Sequence, residues 1–154
     1  MPNPFTHVII NVAIAYPFRK NLGKYWLIFS AFSGLLLDFD FVLSTILNWL
    51  GYSNSLFRHG GFVHSFGFIL ILGIISSLIY LKNKEYGIYG FILSLGAVIH
   101  LALDFILGGG AYALVLFWPF SLELFRLHFL EPFRNNSIFG LIDAFLIMCT
   151  IIWY

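Results

Sequence analysis

The chain carries its candidate chemistry in a few histidines and aspartates that stand among apolar residues. His100 and Asp104 are four residues apart, so on a helix they share one face and form a workable pair of metal ligands. His59 and His64 lie close together in the sequence, and His7 begins the first apolar stretch. Because imidazole and carboxylate together suit zinc, manganese or iron, these residue types predict a metal-binding site.

Asp38 and Asp40 lie near the middle of a long apolar stretch, where a charge is unfavourable. An Asp at the centre of a membrane helix costs roughly 2.5–3.5 kcal/mol, so such a carboxylate indicates a functional site with a compensating partner. The two residues are about 200° apart around an ideal helix, so they reach one point only if the helix is broken there. Structural alternatives stay open: His100 and Asp104 also fit a hydrogen bond between helices.

The elements that must position these residues follow from the composition. Of the 154 residues, 60% are hydrophobic and only 10% are charged, whereas a soluble domain has about 25% charged residues. This excludes an ordinary soluble enzyme and a disordered chain, and the net charge of +1 gives no footprint for nucleic acid. We therefore predict one transmembrane helical domain over residues 1–154. It is an all-α integral membrane protein, a compact bundle of four to five transmembrane helices plus a re-entrant or interfacial segment.

The apolar stretches define the predicted spans, which are Trp26–Leu50, Phe62–Leu81, Tyr86–Leu107 and Ile138–Tyr154. Because a helix needs about 20 residues to cross the hydrocarbon core, the shorter Phe5–Phe18 is predicted to be a tilted span or a re-entrant piece. Gly108–Asn136 is predicted to be a long loop that contains a half-buried or interfacial helix.

Basic residues predict the orientation in the membrane. One side carries five of them, namely Arg19, Lys20, Lys24, Lys82 and Lys84, and the other side carries three, Arg58, Arg126 and Arg134. The excess of Lys and Arg in cytoplasmic loops then puts the five-base side in the cytoplasm. All five histidines fall on the opposite, extracytoplasmic half.

Four short motifs in a fixed order resemble the YdjM-like family of small prokaryotic inner-membrane proteins, described as metal-dependent hydrolases. The motifs are Asp38–Asp40, His59–Ser65, His100–Asp104 and Trp118–Ser121. That family is distantly similar to the zinc-dependent phospholipase C and single-strand nuclease superfamily. The family usually has Pro before the first Asp and His after the second, where this chain has Leu37 and Phe41. It usually has Arg and Thr where this chain has Gly60 and Val63.

The resemblance implies an enzyme of the cell membrane, a metal-dependent hydrolase that uses one or two divalent ions, zinc first among them. Its implied metal ligands are His7, Asp38, His64, His100 and Asp104. Asp40 and His59 are implied to be catalytic, holding or deprotonating a water, or to be further ligands. The implied substrate is a phosphoester of a membrane lipid or a lipid-linked molecule, and its binding rim comprises Arg58, Trp118 and the interfacial His128.

Two other classes of function remain open at the level of the sequence. The buried Asp and His residues of a transporter or proton-relay protein would titrate rather than bind a metal, and that class needs a polar route to the cytoplasmic side. An inactive metal-binding membrane scaffold would keep the metal without turnover. Liposome flux and phospholipid turnover, respectively, discriminate these classes from the hydrolase.

Overall fold

The computed structural model describes residues 4–52, 55–107, 113–125, 144–145 and 148–149. These residues include five α-helices, which are α1 (Pro4–Ala15), α2 (Trp26–Leu35), α3 (Phe39–Trp49), α4 (Phe66–Lys82) and α5 (Lys84–Leu107). Short 3₁₀ turns occur at Tyr16–Phe18, Ser55–Phe57 and Phe62–His64. Within the described ranges the only β-type pairing is an isolated bridge from Leu114 to Phe125. The predicted all-α class is therefore confirmed for this part of the chain.

Two helical hairpins, α1–α2 and α4–α5, pack against each other through α2 and α5. The predicted spans Phe62–Leu81 and Tyr86–Leu107 correspond to α4 and α5. α4 begins after Ser65, whose hydroxyl accepts a hydrogen bond from the Phe68 N–H and so satisfies a donor of the first turn. Extended backbone at Asn83 separates the two helices, so the polar turn lies where the sequence predicts it.

The predicted span Trp26–Leu50 is broken, as it must be if Asp38 and Asp40 are to reach one point, because α2 and α3 are bent by 50° at a break between Leu35 and Phe39. Gly34 sits just before the break and lies tightly against α1. A Cβ at Gly34 would come within 2.7 Å of the His7 carbonyl group. After the break, the Asp40 N–H bonds to the Leu37 carbonyl at 3.1 Å, a tight turn that starts α3 in a new direction.

Length and hydropathy give one described helix, Lys84–Ile106, that is able to cross a membrane. The bent pair α2–α3 adds a second if it counts as one span, and Pro4–Phe18 and Phe66–Lys82 are shorter apolar helices. The predicted span Ile138–Tyr154 falls largely outside the described residues. One or two of the described helices are therefore long and apolar enough to cross a membrane, and the four to five spans that the sequence predicts stay a prediction.

Of the predicted loop Gly108–Asn136 the structure describes residues 113–125, which contain no helix, so an interfacial helix in the rest of this range stays a prediction. The backbone of residues 113–125 pairs with the segment that precedes α4. The Val115 N–H donates to the Gly60 carbonyl at 3.0 Å, and the Leu116 carbonyl accepts from the Phe66 N–H at 2.9 Å. Long-range pairing of this kind satisfies backbone groups that a helix would otherwise satisfy locally. The segment packs on the start of α4.

Candidate metal centre

Seven histidines and aspartates from six parts of the chain converge in one cluster at one end of the helical hairpins. α1 contributes His7, the α2–α3 break contributes Asp38, and the first turn of α3 contributes Asp40. The others are His59, His64 in the 3₁₀ turn before α4, and His100 and Asp104 in α5. Overlapping groups of these residues place one ligand atom each within 4.8 Å of one another: His7–Asp38–His100, Asp38–His59–His64 and His64–His100–Asp104.

Three imidazoles surround the buried Asp104 carboxylate. The Nε2 atoms of His7, His64 and His100 each lie 3.3 Å from one of its oxygens. The predicted four-residue pair of His100 and Asp104 thus shares a helix face, as the sequence indicates. Among the described residues, these three nitrogens and both Asp104 oxygens have no hydrogen-bond partner of acceptable geometry. Five buried polar atoms without a partner at one point are costly unless something binds there.

The spacing of these atoms fits a divalent metal ion. In a tetrahedral zinc site the ligand atoms lie about 2.0–2.1 Å from the ion, which puts neighbouring ligands about 3.3–3.4 Å apart. The three Nε2–carboxylate distances of 3.3 Å match this separation. The same Nε2 atom of His100 also lies 3.5 Å from Asp38 Oδ1, which is close to the same spacing. The donor set of imidazole and carboxylate is also the one that zinc uses.

The Nε2 atom of His100 points at Asp104 because the Nδ1 atom of the same ring is fixed elsewhere. Nδ1 donates to the Gly34 carbonyl at 2.8 Å, and a carbonyl can only accept. This leaves Nε2 with its lone pair, the form that binds a metal. His7 stacks on the same ring, with centroids 3.7 Å apart and planes within 9° of parallel. The two imidazoles therefore support each other's orientation.

Asp40 is buried and holds two histidines and a backbone N–H at once. Its Oδ1 lies 2.6 Å from His59 Nδ1, and its Oδ2 accepts from the Gly60 N–H at 3.1 Å. The same Oδ2 lies 2.8 Å from His64 Nδ1, out of line for a hydrogen bond. A carboxylate that contacts the far nitrogens of histidines is the usual orienting partner of metal-binding imidazoles. Asp40 is accordingly placed to position His59 and His64.

His64 lies between two carboxylates, outside the membrane-spanning helices. Burial lowers the pKa of His64, but the contacts with Asp104 and Asp40 outweigh it and raise the pKa above its ordinary value. A metal ion that binds through His64 therefore competes with a proton for the ring.

Solvent reaches the cluster from the side of Asp38 and His59, whose side chains are 20% and 19% exposed. The other cluster side chains are almost fully buried. Arg58 is exposed beside His59 and lines a small cavity of about 150 Å³ with residues of the 113–125 segment. Trp118, the second predicted rim residue, is half-buried, and its ring packs edge-on against Phe62 at 5.5 Å. The third predicted rim residue, His128, lies outside the described residues.

Two glycines have roles that the sequence reasoning did not assign. Gly34, interpreted from the sequence as a packing residue only, also supplies the carbonyl that orients His100. Gly60 adopts a φ of +80°, a conformation that side chains disfavour, and its N–H holds Asp40. A glycine directly after His59 was the available signal, since a ligand-bearing loop with a left-handed residue needs glycine there.

Comparison with known proteins finds one family model that covers almost the whole chain. A family model described as YdjM inner membrane protein matches residues 1–153. No curated protein and no solved structure matches the chain.

Proposed function

The chain belongs to the YdjM inner membrane protein family, and we propose that it is a membrane-embedded, metal-dependent hydrolase of a lipid or lipid-linked phosphoester. The observation that carries the proposal is the set of partnerless buried atoms around Asp104. The three imidazoles pair with Asp104 at 3.3 Å without hydrogen bonds of acceptable geometry, and a divalent ion bound between them would satisfy all five atoms. The reaction class rests on the resemblance of the sequence motifs to the YdjM-like family and, more distantly, to the zinc-dependent phospholipase C and single-strand nuclease superfamily.

His7, His64, His100 and Asp104 would hold a divalent ion, with zinc the first choice, and Asp38 is in place to complete this site or a second one. When bound, such an ion supplies a Lewis acid that polarises the phosphoester and lowers the pKa of water towards about 7. The overlap of the three ligand groups at His64, His100 and Asp38 accommodates one or two ions.

Asp40 and His59 supply the proton transfer in the proposed reaction. Asp40 accepts from His59 Nδ1 at 2.6 Å, so it fixes the orientation of the ring. His59 is the one histidine of the cluster whose side chain is partly exposed. It can take a proton from the attacking water and return it to the leaving oxygen, while Asp40 keeps the imidazole oriented.

The substrate is proposed to enter where Asp38 and His59 are exposed. Arg58 lies there as the neighbouring cation, and a guanidinium pairs well with the charge of a phosphate group. Trp118 would form an apolar part of the rim. A lipid phosphoester suits this entrance, because the cluster lies at one end of the helices, where headgroups are found.

We propose four to five membrane spans, formed by α1, the bent α2–α3 pair, α4, α5 and the segment Ile138–Tyr154. The five bases of one side lie at the opposite end of the helices from the cluster. The proposed orientation therefore has the five-base side in the cytoplasm of a prokaryotic cell and the cluster on the extracytoplasmic side.

The decisive experiment is metal analysis of protein purified without chelator, combined with phosphate-ester turnover on vesicles of defined phospholipids. Wild-type protein should carry at least one divalent ion, and a His100→Ala, Asp104→Ala double variant should carry none and show no turnover. Glu123→Gln serves as the matched control, because Glu123 is exposed and outside the cluster. Absence of bound metal in the wild type, after exposure to zinc, manganese and iron, would refute the proposal.

A proton-relay function finds less support in the described residues. In α5, Tyr86 and Tyr89 are the only titratable groups between Glu85 and His100. α1 carries none between His7 and Tyr16. The cluster therefore has no chain of ionisable groups towards the five-base side. Proton flux into liposomes that depends on Asp38 would reverse this preference.

A further inference from the structure

A groove separate from the metal centre runs between α1 and α5, with α2 as its floor. Its volume is about 440 Å³, and its walls are apolar, with Ile14, Phe18, Phe91 and Leu95 among them. These four wall residues are all exposed on their outer side. The groove therefore opens sideways, towards the lipid that surrounds a membrane protein.

The end of the groove nearest the metal centre is closed. The stacked rings of His7 and His100 join α1 to α5 there, and the Asn11 side chain donates to the Gly96 carbonyl at 3.4 Å. The floor also contains Asn11 Oδ1 and Ser30 Oγ, which are buried without a hydrogen-bond partner among the described residues. Neither atom carries a charge, so this end offers no cation to a phosphate. The charged part of an occupant therefore lies at the other end.

The other end of the groove is strongly basic. Phe18, Asn21 and Leu22 line it, and they belong to the loop that carries Arg19, Lys20 and Lys24. Together with Lys82 and Lys84 this side of the molecule holds five bases against one acid, Glu85. Arg19 lies over the Tyr16 ring at 3.8 Å and Lys24 over the Tyr25 ring at 4.5 Å. Basic residues combined with aromatic rings are typical of the level of lipid headgroups.

We propose that this groove binds one acyl chain of an anionic phospholipid whose phosphate lies against the Arg19–Lys24 loop. The apolar walls match the chain, and the loop matches the charge of the headgroup. The closed end at His7 keeps this lipid away from the metal centre, so it is a bound structural lipid and not the substrate. The site requires the membrane location of the proposed function and is independent of the metal.

Native mass spectrometry of the full chain in detergent micelles tests the site, with phosphatidylglycerol and phosphatidylcholine of equal chain length as probes. The wild type should bind phosphatidylglycerol in preference to phosphatidylcholine. Each base near a membrane surface contributes roughly fivefold in affinity, so Arg19→Gln, Lys20→Gln and Lys24→Gln together should weaken phosphatidylglycerol binding about a hundredfold. Ala15→Trp fills the groove and should abolish binding of the lipid. Ile74→Trp places the same ring on the exposed face of α4 and should leave binding unchanged.

Equal binding of both lipids by the wild type would overturn the proposal, and so would unchanged phosphatidylglycerol binding in Ala15→Trp. A further variant tests whether the carboxy-terminal segment occupies the groove instead. Leu95→Cys introduces a partner for Cys149, the single native cysteine. An intramolecular disulfide between them would show protein in the groove and refute the lipid site, whereas its absence supports lipid. Metal content measured on the same samples reports separately on the hydrolase proposal.

Discussion

Replacing Asp40 by Asn tests whether this carboxylate positions the metal-binding histidines without binding the ion itself. The change keeps the shape of the side chain but removes its charge and turns one oxygen into an N–H donor. That donor must face either His59 Nδ1, now 2.6 Å from Oδ1, or the Gly60 N–H, now 3.1 Å from Oδ2. If the amide N–H faces Gly60, that hydrogen bond is lost, and if it faces His59, the ring must change to the tautomer whose Nδ1 accepts, which puts the proton on Nε2.

The expected magnitude follows from these contacts. Loss of a carboxylate that orients a ligating histidine reduces metal affinity roughly 10–100-fold, which corresponds to about 1.4–2.8 kcal/mol. Asp104→Asn should have a larger effect, because Asp104 lies within 3.3 Å of three Nε2 atoms and is a proposed ligand. The order of zinc affinity should therefore be wild type, then Asp40→Asn, then Asp104→Asn.

The assay is a competition titration of zinc against a chromophoric chelator at constant pH, with purified protein in detergent. Glu123→Gln makes the same chemical change at an exposed site and should leave the affinity unchanged. Circular dichroism confirms that each variant is folded before titration. A folded Asp40→Asn variant whose affinity stays within about twofold of wild type would refute the positioning role. A loss equal to that of Asp104→Asn would show that Asp40 is a ligand.

Three further outcomes are expected. Gly34→Ala forces a Cβ against the His7 backbone at 2.7 Å, so it should lower the unfolding free energy by about 1–3 kcal/mol and weaken zinc binding. Gly73→Ala is the control, because no atom lies within 4 Å of its Cβ, and it should be neutral or slightly stabilising. Equal effects of the two variants in chemical denaturation would contradict this reasoning. Zinc at about a hundred times its dissociation constant should raise the thermal unfolding midpoint by roughly 5–10 °C, and a midpoint that rises as much in Asp104→Ala would assign the effect to another site. Because the pKa of His64 is raised, its proton competes with the ion, so zinc affinity should fall as the pH is lowered through that pKa; a titration that is flat with pH would exclude His64 as a ligand.

Much of the helical framework could be predicted from the sequence, because it depends on neighbouring residues. The polar turn after Leu81 ends one apolar run and starts the next, and α4 and α5 begin and end within a few residues of the predicted spans. His100 and Asp104 share a face for the same local reason, the helical repeat. Hydropathy did not show the break in Trp26–Leu50, since Leu35, Leu36 and Leu37 are as apolar as the residues on either side. The break arises where Gly34 meets α1, a contact between distant parts of the chain.

The sequence by itself determined which residues are conspicuous: a few histidines and aspartates in a chain with only 10% charged residues. Their residue types already restricted the chemistry to metal binding or proton transfer. Only the tertiary structure decided that Asp104 lies at the centre of three imidazoles and that Asp40 lies behind two of them. Composition and spacing are properties of the chain, whereas a 3.3 Å separation between α1, α5 and the turn before α4 exists only after the helices have packed.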